Sequence, residues 1–167
     1  MLYLCKLITD RSGMEGIRIF ECRGLDSLVV IPEEIKGQPV IELAPYIFSA
    51  QEDYEPEDRS DAFWWGEGEP EELSIVNGNA LTELKLPRTL KKVGAYGFYN
   101  CENLRSLELY STTMDWGAGV FTGCFGVEAI RIYVDETQKS CMKELLMELR
   151  QSLVVSYVGK GLSLIHI

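Results

Sequence analysis

Two consecutive stretches share one pattern: residues 81–103 read LTELKLPRTLKKVGAYGFYNCEN, and residues 104–126 read LRSLELYSTTMDWGAGVFTGCFG. Eight of these 23 aligned positions are identical, and a third copy starts 23 residues later at Val127. Repetition at a fixed period predicts a solenoid, in which each turn covers the apolar side that its neighbour cannot bury alone. The identical pairs are Leu81/Leu104, Leu84/Leu107, Leu86/Leu109, Thr89/Thr112, Gly94/Gly117, Ala95/Ala118, Phe98/Phe121 and Cys101/Cys124.

The apolar residues of each copy have the spacing of a strand. Leu84 and Leu86 are two positions apart, so both side chains point to the same face of an extended chain. We therefore expect equivalent residues of successive turns to lie side by side in buried columns. Gly94 and Gly117 are expected at a corner that needs a conformationally free backbone. The expected columns are Leu84/Leu107/Ile130, Leu86/Leu109/Ile132 and Phe48/Phe98/Phe121.

A degenerate copy of the pattern lies upstream. Residues 29–32 (VVIP) correspond to residues 84–87 (LKLP), and residues 43–48 (LAPYIF) correspond to residues 93–98 (VGAYGF). The upstream copy has 10 residues between the two matches where the regular copy has 5, so it contains about five extra residues near position 38. We interpret these as a widened turn.

The string L-x-x-L-x-L-P-x-x-L-x-x-V-G-x-x-x-F-x-x-C resembles the BspA-type leucine-rich repeat, a bacterial class with repeats of ~23 residues. The resemblance covers residues 25–134 without the acidic insertion described below. It implies a right-handed solenoid whose turns each place a short strand on one sheet, with a second short strand or helical turn opposite. It also implies a binding module without catalysis of its own.

The segments around the repeats complete one expected domain over residues 1–161. Strand-like runs at Leu2–Ile8 and Ile17–Cys22 flank a turn and predict a hairpin that caps the first repeat. Apolar residues at helical spacing predict an amphipathic capping helix over Ser140–Arg150, followed by a strand over Leu153–Val158. The fold class is therefore α/β but predominantly β. Its parts are a hairpin cap (1–24), a degenerate repeat (25–48), an acidic insertion (49–73), regular repeats (81–134) and a helix-and-strand cap (135–158).

The last residues, 162–167 (LSLIHI), fit no element of this plan. They resemble the adapter read-through that ends some metagenomic reading frames, so we expect an artefactual or truncated tail. His166 is the single histidine of the chain, and we discount it as a functional residue on this ground.

The insertion 49–73 has ten acidic residues and one basic residue, which is −9 of the net charge of −10. It also contains prolines and glycines without apolar periodicity, so we expect a solvated loop or partly disordered segment. Trp64 and Trp65 are the exception within it. They either fold back to cap the core or form an exposed aromatic anchor for a partner.

Composition narrows the function classes. The 167 residues suffice for one domain, and no apolar run approaches the ~18 residues that span a bilayer. The net charge of −10 argues against binding to nucleic acid or to an anionic membrane. The amino terminus shows no targeting signal, and five cysteines without a CxxC pair argue against structural zinc and a disulfide framework. We expect a reducing, cytoplasmic setting.

Candidate catalytic and metal-binding groups have simpler interpretations. Cys101 and Cys124 lie one period apart, which favours a packing role at a repeated position over nucleophilic or redox chemistry. The acidic insertion lacks the residue order of a known calcium loop and is interpreted as a solvated face. We therefore predict no catalytic residue, no metal site and no cofactor.

The residues on the other face of the repeated strands are the candidate binding residues. One row of this face alternates in charge and a second row ends in two tyrosines. Such a face either sets the strand register or forms a recognition patch, because tyrosine and arginine are enriched in binding hot spots. The candidate residues are Glu83, Lys85, Glu108, Tyr110, Arg131 and Tyr133.

Together these features predict a non-catalytic module that binds a protein or peptide. One alternative is a substrate-positioning fragment of a longer enzyme truncated after residue 167. Another is a structural unit that associates with itself.

Overall fold

The computed structural model describes residues 1–50, 58–135, 154–158 and 163–166, and almost all regular structure among them is β. Two short 3-10 turns, Pro70–Glu72 and Gly78–Ala80, are the only helical elements of this part of the chain. The strands are β1 (Leu2–Thr9), β2 (Glu15–Arg23), β3 (Leu28–Val30), β4 (Glu34–Ile35), β5 (Gln38–Leu43), β6 (Phe63–Gly66), β7 (Glu83–Lys85), β8 (Lys92–Val93), β9 (Ser106–Tyr110), β10 (Asp115–Trp116), β11 (Ala129–Tyr133), β12 (Val154–Val158) and β13 (Ser163–His166).

These strands form two sheets. Sheet A has the order β10-β8-β5-β2-β1-β6, with β4 paired to β5, and sheet B has the order β13-β12-β11-β9-β7-β3. Each regular turn contributes one strand to sheet B and the next to sheet A, and equivalent strands of successive turns pair in parallel. The predicted, predominantly β solenoid is confirmed. No helix among the described residues is long and apolar enough to cross a membrane.

The predicted columns lie between the two sheets. Leu107 on β9 is opposite Leu84 on β7 and opposite Ile130 on β11, and all three side chains are buried. Phe98 contacts both phenylalanines of its column, with ring centroids 5.8 Å from Phe48 and 5.3 Å from Phe121. The solenoid therefore has a continuous apolar core.

The degenerate copy has the register that its alignment predicts. Val29 pairs with Leu84 in sheet B, and Leu43 pairs with Val93 in sheet A. The extra residues of this copy form a tight hairpin between β4 and β5. Its turn residues Lys36 and Gly37 are both left-handed, with φ of 53° and 77°.

Gly94 and Gly117 lie at a corner as expected, but they are not needed there for backbone freedom. Neither Gly94 nor Gly117 has a positive φ. Instead the turns stack so closely that a Cβ on Gly94 would lie 2.3 Å from the backbone nitrogen of Pro45, and one on Gly117 would lie 2.4 Å from that of Ala95. The glycines are needed for space, not for conformational freedom.

Both ends of the solenoid contain strands. The predicted amino-terminal hairpin is present as antiparallel β1 and β2, and β2 pairs in parallel with β5 of the first turn. The predicted carboxy-terminal strand is present as β12 beside β11. Sequence analysis expected no element in residues 162–167, but Ser163–His166 pairs antiparallel with β12 as β13. The predicted capping helix, 140–150, lies outside the described residues.

The acidic insertion is not simply a loop. Residues 51–57 lie outside the described residues, but Phe63–Gly66 forms β6, which pairs antiparallel with β1 at the edge of sheet A. Sequence analysis excepted the aromatic residues from the expected loop but did not predict a strand here; the strand forms because the open side of β1 supplies hydrogen-bonding groups that an apolar strand of the insertion can pair with.

Candidate binding face on sheet B

Three neighbouring strands position the six candidate residues of sheet B. Lys85 on β7 pairs with Glu108 on β9, which pairs with Arg131 on β11. The next row toward the strand ends is formed by Tyr110 and Tyr133. Because Leu107 and Leu109 point into the core, the residues that alternate with them point outward. The structure thus brings the six predicted residues to one face, with Glu83 at its β7 end.

The charged row contains one ion pair at its outer end. Arg131 Nη1 lies 3.4 Å from Glu108 Oε1, and 54% of the Arg131 side chain is exposed. Lys85 is the register partner of Glu108 on the opposite side. Glu108 therefore has a basic residue at the same register position of each neighbouring strand, and at this exposure its ion pair with Arg131 contributes only a few tenths of a kcal/mol.

The two tyrosine rings form a stacked pair. Their centroids are 4.7 Å apart and their planes differ by 20°. Burial raises the pKa of Tyr110, and the neighbouring Tyr133 raises it further. The hydroxyl of Tyr110 is therefore neutral and can both donate and accept a hydrogen bond, while the half-exposed rings offer a flat apolar surface.

Glu33 and Arg88 extend this face, and sequence analysis did not select them. Arg88 Nε lies 3.2 Å from Glu33 Oε1, and both side chains are largely exposed. Glu33 contributes to the raised pKa of Tyr110 and Arg88 opposes it, so both charges act on the tyrosine pair. The repeat alignment contained the signal, because each residue follows the proline of its own copy.

Trp64 and Trp65 lie on β6 of sheet A and are not part of the sheet B face. The Trp65 ring stacks on Tyr3 with centroids 6.1 Å apart and packs against the core. The Trp64 ring lies 5.1 Å from Arg23 Cζ. Both tryptophans are partly buried, which favours the capping interpretation; a role as partner anchor stays a prediction.

Two arginines tie the insertion to sheet A. Arg23 donates a hydrogen bond of 2.6 Å to the carbonyl of Pro70 and a second one to Glu21. Arg59, the single base of the insertion, lies over the Phe20 ring at 5.6 Å and reaches Glu21 from the other side. Glu21 is thereby compensated by two guanidinium groups although it is nearly buried.

The repeated cysteines Cys101 and Cys124 are buried and hydrogen-bond to backbone carbonyls of the preceding turn. Cys101 donates to the carbonyl of Phe48 at 3.3 Å, and Cys124 donates to the carbonyl of Phe98 at 3.0 Å. The contact with Cys124, together with burial, raises the pKa of Cys101 well above that of an ordinary thiol. Because only the thiolate is a strong nucleophile, this position favours packing over reactivity.

Within the described ranges, no three His, Cys, Asp or Glu side chains are grouped so that they could hold a metal ion.

Comparison with known proteins finds similar repeats. Residues 75–150 match the family model described as BspA type Leucine rich repeat region (6 copies). The chain is similar to a leucine rich cell surface protein from Faecalibacterium prausnitzii A2-165, with 16% identity and a TM-score of 0.46 over 77% of this chain and 30% of that one. It is also similar to a T. pallidum Leucine Rich Repeat protein, with 15% identity and a TM-score of 0.38 over 76% of this chain and 68% of that one. No curated protein matches the chain.

Proposed function

We propose that the chain is a non-catalytic module that binds a protein or peptide through the outward face of sheet B, and the match of residues 75–150 to the BspA-type leucine-rich repeat model supports this. The stacked pair of Tyr110 and Tyr133 is the observation that carries this proposal. Two aromatic rings on a rigid sheet supply a large contact area at a small cost in conformational entropy.

The charges around the rings define the kind of ligand. The pairs Arg131–Glu108 and Arg88–Glu33 lie on or beside the tyrosine pair and present both signs. A ligand with an apolar or aromatic side chain over the rings and a charged group at either end would match them. Exposed ion pairs of this kind exchange partners at little cost, because each contributes little to stability.

A displayed library of random peptides tests the proposal. Peptides selected on the wild-type chain should bind the Tyr110→Ala/Arg131→Ala variant about tenfold more weakly or worse, because truncated hot-spot residues cost at least ~1.4 kcal/mol. The matched control is Tyr99→Ala/Arg11→Ala, which removes the same residue types away from sheet B. Circular dichroism verifies that both variants fold. Selected peptides that bind the two variants equally would place the site elsewhere.

The proposed compartment is the cytoplasm. Four cysteines of the described residues, Cys5, Cys22, Cys101 and Cys124, are free and buried, which is compatible with reducing conditions. Fractionation of cells that express the chain would test this, and recovery outside the cytoplasmic fraction would contradict it.

A further inference from the structure

Strand β3 is an open edge of sheet B. Among the described strands it pairs only with β7. The backbone hydrogen bonds to β7 come from alternate residues: just before β3 the Ser27 carbonyl accepts from the Thr82 N–H at 2.9 Å, and just after it the Ile31 N–H donates to the Lys85 carbonyl at 2.9 Å. Leu28 and Val30 therefore direct their backbone groups away from β7. The Val30 carbonyl accepts the hydroxyl of Tyr3 at 2.9 Å. The two N–H groups have no hydrogen-bond partner among the described residues.

A groove of about 530 Å³ runs along this edge. Tyr3 and Leu73 line it together with the apolar residues of the edge, and Leu25 is 90% exposed and Val30 52% exposed. Large exposed aliphatic side chains beside unpaired backbone donors are unusual on a strand edge, where charges normally prevent further pairing. The remaining lining residues are Met1, Gly24, Asp26, Leu28, Glu67 and Gly68.

The charge of the groove selects its occupant. The ionisable side chains of its lining are Asp26, Glu67 and Tyr3, and apart from the amino terminus at Met1 none of the lining groups is basic. Glu69, Glu71 and Glu72 follow in the chain and are exposed. A second copy of this chain, with its net charge of −10, would meet electrostatic repulsion here, whereas a cationic ligand would be attracted.

We propose that the groove binds an extended peptide that carries lysine or arginine, which adds to sheet B as a strand beside β3. Its backbone acceptors pair with the N–H groups of Leu28 and Val30, and its apolar side chains contact the exposed aliphatic residues. Its basic side chains reach Asp26 and Glu67. This site uses none of the residues proposed above for the tyrosine face, so either proposal can fail without the other.

Fluorescence anisotropy with synthetic peptides tests the site. The probe is a labelled, acetylated peptide of sequence KVKVKVK, and its controls are EVEVEVE and a KVKVKVK peptide that is N-methylated at alternate residues on one backbone edge. We expect saturable binding of the basic peptide, which weakens in high salt, and about tenfold weaker binding or none for both controls.

Variants locate the binding on β3. Val30→Lys places at the edge a charge of the same sign as the peptide and should weaken binding about tenfold, whereas Phe125→Lys, at an even more exposed position outside the groove, should not. The pair Asp26→Asn/Glu67→Gln should also weaken it, in contrast to Glu102→Gln/Glu128→Gln, which removes two exposed acids elsewhere. Thermal melts verify that each variant folds.

Three results would overturn the proposal. The first is absence of binding by the basic peptide, and the second is equal binding of the acidic one. The third is self-association in analytical ultracentrifugation that Val30→Lys abolishes while the basic peptide does not bind, because the occupant would then be a second copy.

Discussion

Sheets A and B each carry a row of charges that crosses several strands, but the two rows lie in different environments. In sheet A the row runs through Lys6, Arg18, Glu42, Lys92 and Asp115. There Arg18 holds Glu42 through two contacts of 2.8 and 2.9 Å, and the Glu42 side chain is 11% exposed. In sheet B, Arg131 and Glu108 are 3.4 Å apart, and the Glu108 side chain is 21% exposed. The two arginines differ in the same direction, with 28% exposed for Arg18 and 54% for Arg131.

The comparison shows that pairing of opposite charges on adjacent strands can serve stability in one sheet and ligand binding in the other. Opposite charges on adjacent strands favour one alignment in both sheets. In sheet A the pair of Arg18 and Glu42 is closely hydrogen-bonded and mostly buried, so we expect it to stabilise the packing of the hairpin cap on the first turn. In sheet B the arginine of the pair is more exposed than Arg18 is in sheet A, so it can meet a ligand. The predictions below test this difference.

The largest expected effect is that of Glu42→Ala. It removes the mostly buried carboxylate that Arg18 contacts twice and should lower the free energy of unfolding by about 3 kcal/mol, because breaking a largely buried ion pair is strongly destabilising. The matched variant Glu108→Ala should cost less than about 1 kcal/mol. Urea unfolding followed by circular dichroism measures both. Equal losses would show that the two rows do not differ.

The next effect is a loss of stability at alkaline pH that originates in sheet A. Burial raises the pKa of Cys5 on β1 from 9.0 to about 12. The folded state therefore keeps a proton that the unfolded state releases, so the stabilisation is complete below pH 9 and declines toward pH 12. We expect a loss on the order of 2 kcal/mol from this group by about pH 10.5.

Urea unfolding across that pH range measures the alkaline loss. Cys5→Ala should make the pH dependence shallower by its own share, whatever its effect at neutral pH, while the buried Cys22, whose pKa is also raised, still contributes. Tyr110→Phe on sheet B should leave the dependence nearly unchanged, because the Tyr110 side chain is only partly buried. A steeper change for Tyr110→Phe than for Cys5→Ala would reverse the comparison.

The smallest effect is the salt dependence of the two ion pairs. Double-mutant cycles should give a coupling of about 0.3 kcal/mol for Arg131 with Glu108 at low salt and almost none at ~1 M NaCl, because exposed charges are screened. The coupling of Arg18 with Glu42 should be larger and should persist. A coupling between Arg131 and Glu108 that survives high salt would mean that these charges do not readily exchange each other for a ligand.

The rows also show which contacts sequence reasoning can reach. The column of Leu84, Leu107 and Ile130 was predictable because equivalent positions recur every 23 residues, and the same register places the six residues of the sheet B face. The contact of Arg18 with Glu42 could not be predicted from the sequence. Strand β2 belongs to no repeat, and its alignment with β5 shifts by one residue between Ile17 and Arg18.

The remaining differences have a related cause. Strand β6 pairs with the free edge of β1, and an edge accepts a strand through its backbone, which leaves little trace in the pattern of side chains. The ion pair of Glu33 and Arg88 joins the degenerate copy to the first regular one. The two residues occupy corresponding repeat positions, but whether their side chains meet depends on how the two copies stack.

The corner at Gly94 and Gly117 limits how this protein can evolve. There the spacing of successive turns is set by backbone against backbone, since even a methyl group would collide with Pro45 or Ala95. Most core positions of a protein tolerate exchange among apolar residues of similar volume. At this corner no such exchange exists, so we expect that libraries of functional variants would retain glycine at both positions while Leu84 and Leu107 accept other aliphatic residues.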